Sequence, residues 1–91
     1  MGEPTVIKPT VGRVVWYYPA DRGPTDQPHA AMVAHVHSDR LVNLMVSDPN
    51  GVPYSKTSVT LIQNGDEVPG GGYCAWMPYQ IGQAKKHAGA V

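Results

Sequence analysis

Phenylalanine is missing from this chain, cysteine occurs once, and only 15% of the residues are charged. With Cys74 alone, no intramolecular disulfide can form, which favours a reducing compartment. No apolar run approaches the roughly 20 residues that a membrane-spanning helix needs. Residues Met1–Thr5 also lack the basic segment and apolar run of a signal peptide. These absences predict a cytoplasmic protein without a membrane partner.

Positive charge is not concentrated anywhere in the sequence. The seven basic and seven acidic residues cancel, and the closest pair of basic residues is Lys85–Lys86. A protein that holds duplex DNA through its phosphates carries a basic stripe, because the phosphate contacts dominate the affinity. The sequence therefore predicts no binding to duplex nucleic acid.

Little of the chain has helical periodicity, whereas five stretches alternate or cluster apolar residues with the period of a β-strand. Pro, Gly, Asp or Asn fills almost every gap between these stretches. Asp48-Pro49-Asn50-Gly51 predicts a type I turn closed by a glycine bulge. The five predicted strands are Val11–Tyr18, Ala30–His37, Leu41–Ser47, Thr57–Gln63 and Tyr73–Met77.

Consecutive hairpins, one long early loop and a short closing strand are typical of an SH3-like barrel. We predict an all-β fold, a small SH3-like barrel of about five antiparallel strands over residues 11–79. Residues 1–10 form a flexible leader. Residues 80–91 form a tail, either one helical turn or disordered, since Gly82 and Gly89 interrupt it. An OB-like barrel would need a helix between its third and fourth strands, and the sequence offers none.

The strand faces indicate where the barrel is covered. In the third strand Val42, Leu44 and Val46 are predicted to point inward. Both faces of the first strand are largely apolar, which is typical of a barrel strand near a subunit contact. A domain of 91 residues also gains stability by association. We therefore expect a homo-oligomer.

His35 and His37 lie two residues apart, so strict alternation places both on one strand face, together with Ala31 and Val33. One metal ion could bind both imidazoles, with Asp39 or His29 as a further ligand, as in a metal-dependent hydrolase. No matching Cys or His pair lies elsewhere at metal spacing, and no nucleophile motif accompanies them. The sequence favours a polar strand face, no cofactor and no enzymatic activity.

Every aromatic ring in the chain carries a polar group, since all are Tyr or Trp. Such rings suit an interface or a stacked ligand, and ordinary core packing is the alternative for most of them. The arginines are scattered, so one or two meet a small anion only if copies assemble. The predicted ligand-binding residues combine these groups: Trp16, Tyr18, Arg13, Arg40, His35, His37, Trp76 and Tyr79.

Four groups of segments form an overall pattern over most of Val11–Lys86, and not a catalytic motif. They are Gly12–Pro19, Gln27-Pro28 with Ala30–Val36, Val42–Leu44 with Asp48–Gly51, and Gly72–Gln80. This pattern resembles a group of small proteins encoded by tailed bacteriophages and prophages. The resemblance implies no site residues. It implies a phage accessory or virion-related protein in the host bacterial cytoplasm.

Two functions remain open from the sequence. The first is a non-enzymatic homo-oligomer that captures a small nucleotide-like ligand at a subunit junction, as a sponge for a signal of host defence. Stacking aromatics and isolated arginines suit a base and a phosphate. The second is a protein-binding or assembly module, either a virion accessory subunit or an inhibitor of a host protein, whose aromatics form a flat exposed patch.

Overall fold

A computed structural model describes residues 6–89, with side chains up to residue 83. Its strands form a closed barrel in the order in which they follow one another along the chain. The prediction of a small all-β barrel of five strands is confirmed. The elements are β1 (Val14–Tyr18), β2 (His29–Ser38), β3 (Leu41–Ser47), β4 (Pro53–Ile62), β5 (Tyr73–Ala75) and α1 (Pro78–Gly89).

Strand bounds follow the prediction closely for β3 and depart from it for β1 and β4. β1 begins at Val14 and not at Val11, because the chain turns at Gly12, which has a φ of 95°. β4 begins at Pro53, four residues before the predicted Thr57. The strand therefore starts directly after the turn that contains Gly51.

The turn between β3 and β4 has the predicted geometry. The Gly51 N–H donates a hydrogen bond to the Asp48 carbonyl at 2.9 Å, and Gly51 has a φ of 85°. The Asp48 N–H then donates to the Val52 carbonyl at 2.9 Å. Glycine is needed at position 51, since a side chain there would strain the left-handed backbone.

Four of the five strand contacts in the barrel are antiparallel, and the fifth is parallel. β1 pairs with β2 and with β5 in antiparallel fashion, whereas β4 and β5 run parallel through the pairs Leu61–Cys74 and Ile62–Ala75. A tight hairpin would force β4 and β5 to be antiparallel. The long connection over residues 63–72 leaves the chain free to return in the same direction.

The core lies inside the barrel and is built from alternate strand residues. In β3, Val42, Leu44 and Val46 are buried, as predicted. Burying such side chains contributes about 1.5–3 kcal/mol each. The remaining core residues are Val15, Tyr17, Ala31, Val33, Val59, Leu61, Cys74 and Trp76.

One polar side chain, Gln63, is buried next to Trp76 in this core, with 2% of its surface exposed. Its Oε1 accepts hydrogen bonds from the Ile7 N–H at 3.0 Å and the Trp76 indole N–H at 3.1 Å. Its Nε2 donates to the carbonyls of Ile7 at 3.0 Å and Asp39 at 2.8 Å. Gln63 thus joins the segment before β1, the β2–β3 turn and the core.

Two β-bulges face each other across Asn43. The β2–β3 register shifts between Val33 and His35, and the β3–β4 register shifts next to Ser58, which has a φ of 52°. Asn43 Oδ1 accepts a hydrogen bond from the Ser58 N–H at 2.8 Å and lies 3.0 Å from His37 Nε2. The Asn43 side chain therefore provides a hydrogen-bond acceptor for the Ser58 N–H, which the bulge in β4 removes from the ladder.

The β2 bulge corrects the predicted placement of His35 and His37 on the face of Ala31 and Val33. Ala31 and Val33 are buried, whereas both histidines are exposed on the outer wall. The bulge adds one residue to β2, and this exchanges the two faces of the strand as far as a second register shift between Val36 and Ser38. Val36 takes the inward side and packs against the core instead.

Helix α1 is longer than the single turn that the sequence allowed. Pro78 stands at its first position, and Gln80 Oε1 accepts the Met77 N–H at 2.8 Å, as in a capping box. Ile81 packs against the core, which offsets the helix-breaking tendency of Gly82. No helix among the described residues has the length and apolarity of a membrane span.

Candidate functional site

A cleft of about 660 Å³ opens at one end of the barrel, between the β1–β2 loop and the start of β4. Its volume lies within the roughly 300–1,000 Å³ of small-molecule sites, and barrel mouths are a common place for such sites. Tyr17, His29 and Tyr54 form its inner wall. We call this cleft the mouth.

The mouth exists because the inward faces of the strands continue past the apolar core. Tyr17 pairs with His29 between β1 and β2, and Val46 pairs with Tyr54 between β3 and β4. The inward positions thus change from aliphatic to polar aromatic residues at this end. Polar groups on an inward face are tolerated where water or a ligand reaches them.

The short closing strand keeps the mouth open. β5 has three residues, and it contacts β4 only through Leu61 and Ile62. The first part of β4, which carries Tyr54 and Lys56, therefore pairs along one edge only among the described residues.

Three rings stand edge to face along the inner wall. The His29 ring centroid lies 6.5 Å from that of Tyr17 and 6.0 Å from that of Tyr54. The His29 Nδ1 is 2.7 Å from the Tyr54 hydroxyl oxygen. When His29 is neutral with its proton on Nε2, the Tyr54 hydroxyl donates to Nδ1.

The Tyr54 phenol remains protonated at neutral pH. Burial raises the pKa of Tyr54, and the neighbouring Tyr17, Asp48 and Asp21 groups raise it further. A protonated phenol is a hydrogen-bond donor and a weak nucleophile. The residue is therefore suited to holding a ligand.

Tyr17 is held in place by a close approach of the backbone. A Cβ atom added to Gly72 would lie 2.8 Å from the Tyr17 hydroxyl oxygen. Only glycine leaves room for this hydroxyl. The Gly70-Gly71-Gly72 run therefore has a steric role at its last residue.

Arg22 is fixed at the rim of the mouth. One of its terminal nitrogens donates to the carbonyls of Pro19 at 2.9 Å and Gly71 at 3.2 Å. The guanidinium carbon lies 5.0 Å from the centroid of the Tyr73 ring, which stacks on Tyr18 at 4.7 Å. Cation–π contact and hydrogen bonds together preorganise the positive charge.

The charges that line the mouth are mixed in sign. Lys56 on β4 adds a second cation, and Asp21, Asp26 and Asp48 add carboxylates. Asp26 accepts a hydrogen bond from the Gly23 N–H at 2.8 Å, and Asp48 accepts from two backbone N–H groups of its own turn. Two of the three carboxylates are thus already engaged.

None of the eight residues that the sequence singled out for ligand binding lines the mouth. Trp16 and Tyr18 lie on the outer face of β1, and Arg13 is exposed just before that strand. Trp76 is buried in the core with 3% exposed, whereas Tyr79 is 73% exposed at the start of α1.

The other three predicted residues lie around the opposite end of β2. The rings of His35 and His37 are 4.8 Å apart on the outer wall. Arg40 pairs with Asp66, with its Nε 2.8 Å from the carboxylate oxygen Oδ2. Among the described residues, no group of three or more His, Cys, Asp or Glu side chains is arranged to hold a metal ion.

The residues of the mouth were accessible to sequence reasoning in part. Extending the alternation of Val33 and Ala31 by one step places His29 on the buried face, one residue before the predicted start of β2. Tyr54 and Lys56 were missed because β4 was predicted to begin at Thr57. The hydrogen bond between His29 and Tyr54 joins residues 25 positions apart, and no local pattern signals it.

Comparison with known proteins adds no relative. No family model, curated protein or solved structure matches this chain. The function is therefore inferred from the mouth and its residues.

Proposed function

We propose that this protein binds a small nucleotide-like ligand in the mouth of the barrel and does not transform it. The observation that carries the proposal is the row of rings formed by Tyr17, His29 and Tyr54, in a cleft whose lining also includes Arg22. Aromatic edges and faces suit a planar base. The guanidinium fork suits a phosphate.

The mixed charge of the mouth narrows the ligand class. Arg22 and Lys56 attract one anionic group, whereas a free carboxylate such as Asp21 repels further negative charge. Ribose hydroxyls donate hydrogen bonds to carboxylates. The mouth therefore favours mononucleotides and ADP-ribose-type ligands over nucleoside triphosphates.

Binding without catalysis agrees with the state of the reactive groups. The pKa of Tyr54 is raised, so the phenol is not an activated nucleophile. Burial raises the pKa of Cys74 to about 12, and this thiol has no exposed surface. Neither group supplies a nucleophile at neutral pH.

The resemblance to phage proteins supports a biological role for such binding. A phage accessory protein that sequesters a nucleotide signal in the host bacterial cytoplasm would act against host defence. Capture alone lowers the free concentration of the signal, so no turnover is required.

Isothermal titration calorimetry of the full chain tests the proposal. The probes are AMP, cyclic AMP, ADP-ribose and ATP, with saturable heat expected for at least one of the first three. Arg22→Gln should weaken that binding at least tenfold. Arg40→Gln is the matched control, since this arginine pairs with Asp66 away from the mouth. Absence of heat with every nucleotide would refute the proposal.

Exposed apolar side chains favour a second candidate, a protein-binding or assembly module. Tyr79 is 73% exposed, Val68 59% and Val52 57%. Single exposed residues are ordinary, but an aromatic ring so open to water is a frequent contact residue. Two results would together favour this candidate: a stoichiometric host or phage partner that no longer binds Tyr79→Ser, and no heat in the nucleotide titrations.

A further inference from the structure

The outer wall of the barrel over β1, β2 and β3 carries no formal charge apart from its histidines. The residues of these strands that face away from the core are all described, and none of them is Lys, Arg, Asp or Glu. Water-exposed strand faces of a monomer normally carry interspersed charges. The residues of this wall are Val14, Trp16, Tyr18, Ala30, Met32, Ala34, His35, His37, Leu41, Asn43, Met45 and Ser47.

A continuous apolar row crosses the middle of this wall. Val14 pairs with Met32, and Met32 pairs with Met45, so the three side chains are neighbours on adjacent strands. Their exposed fractions are 42%, 39% and 51%. Three large apolar residues in register form a patch, unlike apolar residues scattered singly.

The wall also alternates small and large side chains. Along β2, Met32 lies between Ala30 and Ala34, and all three are exposed. The alanines leave depressions on either side of the methionine. They leave room for two flexible Met32 side chains to pack against each other at the centre of a face-to-face contact.

We propose that this wall is the contact surface for a second copy of the same chain, in a symmetric dimer with Met32 near the two-fold axis. β2 is the central strand of the wall. A two-fold axis that runs along β2 at Met32 therefore brings Val14 of one chain opposite Met45 of the other. An uncharged surface meets its own copy without like-charge repulsion. A heterologous partner would instead be selected by complementary charges, which the wall lacks.

The dimer contact and the inner wall of the ligand site lie on opposite faces of the strands, and they approach each other where Tyr18 stacks on Tyr73 next to Arg22. The wall uses outward residues, whereas the mouth uses inward residues of the same strands, such as Tyr17 and His29. Dimerisation therefore leaves the mouth open, and each chain keeps a complete site. The failure of one proposal does not imply the failure of the other.

Sedimentation equilibrium of the full chain at micromolar concentrations gives the first test. We expect a dimer for the wild type and for Thr60→Glu, a matched control on the exposed side of β4. Met32→Glu and Met45→Glu should each shift the equilibrium to monomer at least a hundredfold, with unchanged far-UV circular dichroism. A monomeric wild type, or a dimer that survives both glutamates, overturns the proposal.

A cross-linking experiment locates the axis and does not depend on a destabilising charge. The native Cys74 is fully buried, so an introduced cysteine is the only reactive thiol. A short bismaleimide should join two chains of Met32→Cys into a covalent dimer. Thr60→Cys should stay monomeric under the same conditions. Equal cross-linking of both variants, or of neither, contradicts the placement of the axis.

Discussion

The Nδ1 atom of His29 lies 2.7 Å from the phenolic oxygen of Tyr54, across the mouth of the barrel. The two residues belong to β2 and β4, which are not neighbours in the sheet. Their contact therefore defines the inner wall of the mouth. It also fixes the orientation of the two rings relative to each other.

Removal of the Tyr54 hydroxyl tests the importance of this contact for binding. Tyr54→Phe leaves the His29 Nδ1 without its partner and removes the phenolic oxygen from the mouth. We expect the affinity for the best-bound nucleotide of the panel to fall about five- to tenfold, or about 1 kcal/mol. Calorimetry measures the change, and Tyr79→Phe, outside the mouth, is the control. Unchanged affinity in Tyr54→Phe would argue against a ligand on this wall.

The close approach of Gly72 to Tyr17 predicts a coupled effect of two substitutions. Gly72→Ala places a methyl group 2.8 Å from the Tyr17 hydroxyl oxygen, so the ring must move. We expect a loss of about 1–3 kcal/mol of stability in urea denaturation. In the Tyr17→Phe background the clash is relieved, and the cost of Gly72→Ala should fall by about 1 kcal/mol or more.

Gly71→Ala is the matched control for that cycle, because an added Cβ there meets nothing within 4 Å. It should change stability by less than about 0.5 kcal/mol. Equal costs for Gly72→Ala in the presence and absence of the Tyr17 hydroxyl would show that the contact is not the cause.

The buried Gln63 predicts a large loss of stability on replacement. Gln63→Leu removes the hydrogen-bond partner of the Trp76 indole N–H, the Ile7 backbone groups and the Asp39 carbonyl, which lie in or near the core. We expect destabilisation of about 3 kcal/mol, since each unpaired buried group costs about 1–3 kcal/mol. Urea denaturation followed by tryptophan fluorescence measures it. Gln27→Leu, an exposed glutamine in the β1–β2 loop, should cost less than about 0.5 kcal/mol.

The ion pair between Arg40 and Asp66 predicts a pH-dependent contribution to stability. The hydrogen bond from Arg40, followed by that from the Gln63 N–H, lowers the pKa of Asp66. A lowered folded-state pKa adds stability above the unfolded value of about 3.9 and loses it as the pH falls through the folded value. The contribution is small because Arg40 is exposed and Asp66 is partly open to water, so solvent screens the pair.

Melting temperatures of the wild type and Asp66→Asn, measured from about pH 2 to about pH 7, check this expectation, because this range spans the usual pKa of a carboxyl group. The wild type should melt slightly higher at neutral pH, and the gap should close in acid. Asp39→Asn is the comparison, since Asp39 precedes Arg40 in the β2–β3 turn but makes no ion pair with it among the described residues. A constant gap across the range would exclude the ion pair as its source.

Strand alternation explains how much of the fold was predictable. The pattern of Val42, Leu44 and Val46 fixed the inward face of β3 without any knowledge of its neighbours. The signal fails at His35 and His37, because a bulge exchanges the faces of β2 between them and Val33. A bulge depends on the partner strand: here Val33 pairs with Leu44, and His35 pairs with the adjacent β3 residue, Asn43.

The candidate site was less predictable than the fold. The sequence drew attention to rare or clustered groups such as Trp16 and His35, but it contained no information about which of them share a cleft. Arg22 is one of the three scattered arginines, and no local pattern of the sequence places it in the mouth. Its position beside Tyr73 arises from the path of the loop after β1, which long-range contacts determine.

By itself, the sequence determined an all-β barrel, the inward residues of β3 and the Asp48–Gly51 turn, because each of these follows from local periodicity or turn chemistry. Tertiary structure alone decided which end of the barrel stays open, where the bulges fall, and that His29 meets Tyr54. These features depend on strand pairing between residues far apart in the chain. The alternation of apolar residues along one strand carries no information about which strand it pairs with.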